Sequence, residues 1–150
     1  MPIETPHNRQ LSCVLVSVNG SAADADAVRL ACELAHDNGA KVCAIYVIEV
    51  KRSLPLDADL AQETARGELV LADAEQLGNT LNCPIETELL QAREVGPAIV
   101  DLAYERRADV LVMGIIYKRK FGEFTIGETV PYVLKNAPCQ VCLTRQPESA

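Results

Sequence analysis

Short apolar runs alternate along the chain with stretches in which apolar residues recur at helical spacing. "SCVLVSV" (Ser12 to Val18) is nearly continuous in apolar and β-branched residues, the pattern of a strand buried on both faces. "NGSAAD" then predicts a turn, with Ser21 capping the next helix and Asp24, three residues on, completing a capping box. Val28, Ala31, Leu34 and Ala35 share one face of that helix, and Gly39 ends it in the left-handed conformation. "KVCAIYVIEV" (Lys41 to Val50) reads as a second strand. A long helix capped by Asp57 is expected to reach about Asn79, with Leu60, Leu69, Ala72 and Leu77 among its apolar positions.

"IETELL" (Ile85 to Leu90) alternates apolar and polar residues at first, as an exposed edge strand does. In "REVGPAIVDLAYERRA", Pro97 suits the first helical turn, while Ile99, Leu102 and Ala103 face inward. "DVLVMG" (Asp109 to Gly114) is another buried strand. A loop, "GIIYKRKFGEFTIGET" (Gly114 to Thr129), a short helix to about Lys135 and a last strand, "QVCLTR" (Gln140 to Arg145), complete the chain. Regular strand–helix alternation predicts an α/β domain: an open parallel sheet built from right-handed crossovers, with helices on both faces. Ligands of such sheets bind outside the carboxyl ends of the strands, where the strand order reverses. That point falls beside "SCVLVSV", where the "VNGS" turn meets the loop after "DVLVMG". One domain is expected over residues 11–146, between flexible tails at 1–10 and 147–150.

The length, 150 residues, suffices to bury a core without disulfides or metal. A net charge of −7 and a pI near 4.8 argue against a nucleic-acid or anionic-lipid partner, so any anion must be caught by local donors. No apolar run approaches a membrane span, and "MPIETPHNRQ" has no leader-like apolar segment. A cytoplasmic protein with no membrane insertion is expected. Cys13, Cys32, Cys43 and Cys142 lie in apolar runs, as small hydrophobes do. Cys139 and Cys142 form a C-x-x-C pair at the entrance of a strand, where their side chains point to opposite faces; redox pairs usually open a helix, and zinc needs a second pair.

Catalytic groups are scarce. His7 falls in the tail and His36 near a helix end, and Asp57 with Asp59 read as charges complementing a helix dipole. No G-x-S-x-G elbow, Walker-type phosphate loop or metal-ligand cluster occurs, nor does the SGG-type loop or H-x-G-H motif of nucleotide hydrolases and ligases with this architecture. The protein is expected not to be an enzyme.

"VLVSVNGS", "REVGPAIVDLAYERRADVLVMG", the loop with its trailing "IGET", and "VLKNAPCQVCLTR" together resemble the universal stress protein family over nearly the whole chain. The resemblance implies a five-stranded parallel sheet of order 3-2-1-4-5 and a homodimer formed through the last strand, Gln140 to Arg145. Nucleotide-binding members carry a glycine, two residues, a second glycine, nine residues, a third glycine and then serine or threonine. Gly114 and Gly127 match the first and third glycines; Tyr117 replaces the second and Glu128 the hydroxyl residue. By the same resemblance Asn19 stands where the nucleotide binders usually carry an aspartate near the nucleoside.

Tyr117 adds a side chain where backbone approaches the ligand, Glu128 repels a polyphosphate unless a cation intervenes, and Pro131 removes an amide donor. Lys118, Arg119 and Lys120 either neutralise phosphates in place of those amides or form a solvated tip balanced by Glu123 and Glu128. Two functions follow. One is a non-enzymatic dimeric regulatory or adaptor module with no or weak ATP binding. The other is a sensor of an adenine nucleotide (ATP with Mg, AMP or a cyclic dinucleotide) held by Asn19, Gly20, Val47, Met113, Gly114, Tyr117, the "YKRK" loop, Gly127, Glu128 and Thr129. "KFGEF" with "PYVLKNAPC" also resembles stress-protein domains attached to amino-acid transporters, which suggests a transporter among the protein partners.

Overall fold

The computed structural model describes residues 10–116, 118–120, 123–125 and 127–146; for 118–120 and 123–125 it gives the backbone alone. Of the expected tails at 1–10 and 147–150, all but Gln10 lies outside the described residues, as do Tyr117, Phe121, Gly122 and Ile126. Among the described residues, seven strands and four helices run in the order β1 (Cys13–Ser17), α1 (Asp24–His36), β2 (Lys41–Glu49), α2 (Ala61–Thr80), β3 (Ile85–Ala92), α3 (Val95–Glu105), β4 (Val110–Ile115), β5 (Lys118–Lys120), β6 (Glu123–Thr125), α4 (Thr129–Asn136) and β7 (Gln140–Arg145).

Five of the strands form a parallel sheet in the order β3-β2-β1-β4-β7, so the fifth strand of the expected 3-2-1-4-5 order is β7. β1 lies between β2 and β4, which sets the reversal point of the sheet at its carboxyl end. Alternate residues of each central strand feed two cores. Val14, Val16, Val42, Ala44, Val110 and Val112 pack with α1 and α2; Leu15, Cys43, Ile45, Leu111 and Met113 pack with α3 and α4. Both faces are apolar because both are covered, and that is why the central strands read as continuous hydrophobic runs. β3 keeps the edge position expected of "IETELL".

Four local expectations are corrected. Ser21 does not cap α1: Ala23 occupies the cap position without a side-chain bond, and the Ser21 hydroxyl accepts instead from Ala23 N at 3.3 Å. α2 starts at Ala61 after Leu60, without a side-chain cap, so Asp57 lies in the preceding loop. The inward stripe of α2 is Gly67, Leu71, Ala74 and Gly78; Leu69 is 69% exposed and Ala72 is exposed. The two glycines decide this phase. A Cβ on Gly67 would meet Leu89 at 2.5 Å and Tyr46 at 2.7 Å, and one on Gly78 would meet the Cys83 carbonyl at 2.5 Å, so only hydrogens allow the helix to lie this close to the sheet. Finally, the 114–129 segment is not wholly loop: β5 and β6 pair antiparallel in the register Lys118–Thr125, Arg119–Phe124 and Lys120–Glu123.

The loop between β2 and α2 is tied down from outside itself. The Arg93 guanidinium donates to the carbonyls of Lys51 (2.6 Å) and Leu54 (2.8 Å) and more weakly to that of Val50 (3.5 Å). The Gln91 amide donates to those of Leu56 (2.9 Å) and Ala58 (3.1 Å).

Candidate nucleotide cleft

A cavity of about 470 Å³ opens at the carboxyl ends of β1, β2 and β4, lined by Ser17, Val18, Asn19, Tyr46, Val47, Val95, Met113, Gly114, Ile115, Ile116 and residues 127–130. Its position follows from topology: the chain leaves β1 toward one face and β4 toward the other, and the crevice remains between them. Its size suits a nucleoside-sized ligand.

Seven residues expected at the site therefore meet in one cleft: Asn19, Val47, Met113, Gly114, Gly127, Glu128 and Thr129. Gly20 does not line it. With φ at +85°, Gly20 turns away into the groove between α1 and α2, beside Val70 and Arg66. Tyr117 lies outside the described residues, as do the side chains of Lys118, Arg119 and Lys120. Sequence reasoning missed Ser17, Val18, Tyr46, Val95, Ile115, Ile116 and Val130. Tyr46 and Val95 adjoin Val47 and the start of α3, and the rule that ligands sit at strand ends was the signal for them.

At one end of the cleft the β1–α1 turn is held by Asp24. Its carboxylate accepts from Gly20 N at 2.7 Å and from Asn19 N at 3.1 and 3.3 Å. Burial pushes the Asp24 carboxyl above the usual carboxylate range, and those two backbone donors oppose the shift. The Asn19 side-chain oxygen accepts from Ser21 N at 3.0 Å.

At the other end, Gly127 adopts φ +71° and leads into α4. That conformation favours glycine, so the third glycine of the motif has a backbone reason. α4 has no side-chain cap at Glu128; its first-turn amides at Thr129 and Val130 are available to an anion, whereas Pro131 has none to offer. Gly114 has a packing reason of its own. A Cβ there would lie 2.6 Å from the Ala23 carbonyl oxygen, so the residue lets β4 and the start of α1 approach each other.

Glu128 also borders an adjoining cavity of about 220 Å³ together with Glu49 and Glu94. Three carboxylates thus rim the α4 end, and their field opposes a polyphosphate.

The sequence matches the model of the universal stress protein family over residues 12–145. The chain belongs to that family. It is 27% identical over 141 residues to a universal stress protein of Methanocaldococcus jannaschii, covering 90% of this chain and 82% of that one. Among solved structures, this universal stress protein superposes on the Archaeoglobus fulgidus universal stress protein in complex with dAMP (TM-score 0.69, 21% identity, 89% of this chain and 96% of that one). It superposes likewise on a universal stress protein in complex with cAMP (TM-score 0.71, 22% identity, 91% and 98%). At these identities the superpositions establish the shared fold.

Elsewhere the thiols are structural. Cys139 packs toward the α3–α4 core and Cys142 toward the α1–α2 core, so the sheet separates the C-x-x-C pair. Burial and a hydrogen bond with Cys83 push the Cys32 thiol up to about 12, and burial pushes Cys43 to about 11. Among the described residues, no group of three or more His, Cys, Asp or Glu side chains could hold a metal ion, and no helix is long and apolar enough to cross a membrane.

Proposed function

We propose that this universal stress protein is a non-enzymatic cytoplasmic regulatory module whose cleft takes an adenine monophosphate and binds ATP weakly or not at all. The carrying observation is the pairing of a formed cleft with Glu128, Glu49 and Glu94 at the end where phosphates would lie. One phosphate can be met by the Thr129 and Val130 amides, while a second and third would extend into the acidic rim. The complexes of its structural neighbours with dAMP and cAMP support a ligand of this size. Val18, Val47 and Met113 offer an apolar wall for a base. The test is to purify the protein without added nucleotide, identify any retained compound by mass spectrometry, and titrate ATP, AMP and cyclic dinucleotides calorimetrically. AMP bound at least tenfold more tightly than ATP is expected; the reverse order defeats the reading.

A second reading, an adaptor dimer that works by protein contact, has its own support in β7. That strand stands at the end of the five-stranded sheet and leaves Leu143 38% exposed, as a strand that pairs with its copy does. On this reading the protein sediments as a dimer with or without nucleotide and partners, a transporter among them, recognise the pair. A monomer at micromolar concentration removes it.

A further inference from the structure

Asn19 sits at the cleft with both ends of its side-chain amide chemically distinct. Ser21 N can be satisfied only by an acceptor, so the side-chain oxygen faces it at 3.0 Å, and the NH2 group is left. Among the described residues that NH2 has no partner. The turn is not free to reverse this choice, because Asp24 holds Asn19 N and Gly20 N from the opposite side. Around Asn19 the cleft is walled by Val18, Val47 and Met113, which fit the flat face of a base rather than a sugar.

We propose that Asp24 and the Ser21 amide lock Asn19 as a hydrogen-bond donor, and that the cleft thereby selects a base presenting an unprotonated ring nitrogen to it. A carboxylate in this place would offer the ligand acceptors only; the amide, with its oxygen engaged, offers a donor only. Asn19 is then a specificity residue that touches the ligand, and Asp24 is a positioning residue that acts through it. This rests on the adenine-monophosphate reading above and adds to it the edge of the base that is read.

The test begins with the wild-type protein and needs no variant. AMP and its 1-deaza, 3-deaza and 7-deaza analogues, each lacking one ring nitrogen, are titrated in turn. One analogue is expected to bind roughly tenfold more weakly than AMP and the other two within about twofold, the loss of one hydrogen bond to a donor that the bound base covers. In Asn19→Leu that discrimination should vanish, and in Asn19→Asp AMP should bind more weakly than in wild type. Asp24→Ala should also erase the discrimination, while Asp24→Asn, which keeps an acceptor for the turn, should restore it. If AMP binds but all three analogues match it, or if Asn19→Leu discriminates as wild type does, the donor assignment is overturned and the monophosphate reading stands. Failure of AMP to bind at all overturns both.

Discussion

Gly114 and Ala23 touch across the base of the cleft so closely that a Cβ on the glycine would lie 2.6 Å from the Ala23 carbonyl oxygen and 2.8 Å from its Cβ. Neither neighbour is the end of a flexible chain, so the backbone itself must move. Gly114→Ala should cost about 1–3 kcal/mol of stability as an overpacked contact, read by denaturant unfolding. A glycine needed only for phosphate approach would instead lose ligand affinity with stability intact.

Gly78→Ala sets two effects against each other. Alanine favours a helix by about 1 kcal/mol over glycine, but its Cβ would lie 2.5 Å from the Cys83 carbonyl oxygen. The clash is with backbone, so it prevails, and the midpoint of thermal unfolding should fall.

Tyr117→Gly with Glu128→Ser restores the two altered positions of the glycine-rich pattern. The double variant is expected to gain ATP affinity at least tenfold, by calorimetry, as the α4 end loses the Glu128 carboxylate and the family's second glycine is restored. A folded double variant with unchanged ATP binding defeats the obstruction argument.

Asp24→Asn should not destabilise the protein at neutral pH. The folded-state pKa of Asp24 is raised by burial, so just above the unfolded value of 3.8 the native state holds more protons and stability falls as pH rises through that window. Above the window the buried charge is a net cost that asparagine lacks, while keeping an acceptor for Gly20 N. Melting temperatures of variant and wild type should therefore converge as the pH drops below the window and favour the variant near pH 7.

Arg106 bonds Glu88 at 2.7 Å and Glu86 at 3.0 Å, two carboxylates on alternate residues of the edge strand. The pair raises the Arg106 pKa, Glu88 more than Glu86. Arg106→Ala leaves two like charges facing one another and should cost on the order of 1 kcal/mol, less at high salt. An effect that does not shrink with added salt would point to lost packing of the arginine stem.

The sheet was legible because its central strands are buried on both faces: "SCVLVSV" and "DVLVMG" admit few alternatives once helices separate them. α2 was read out of phase for the opposite reason. Its inward positions include Gly67 and Gly78, which carry no hydrophobic signal, while the exposed Leu69 carries a strong one. The cleft's place followed from strand order, Gly114, Gly127 and Glu128 from the family's glycine pattern, and Asn19 from the place of its aspartate. What could not be read was direction. The capping-box reading had Asp24 reach back, but to Ser21 rather than to Asn19 and Gly20, and nothing in "VNGSAAD" says that Gly20 faces away from the cleft toward Val70 and Arg66 of α2.

The β2–α2 loop draws part of its shape from outside its own sequence. Arg93 and Gln91 grip carbonyl oxygens, and every residue type supplies a carbonyl. Leu54 and Leu56, at 39% and 49% exposure, are therefore displayed on a frame that does not depend on them. Such a segment is a rewritable label: its lettering can change from one protein to another while the plate it is fixed to stays the same.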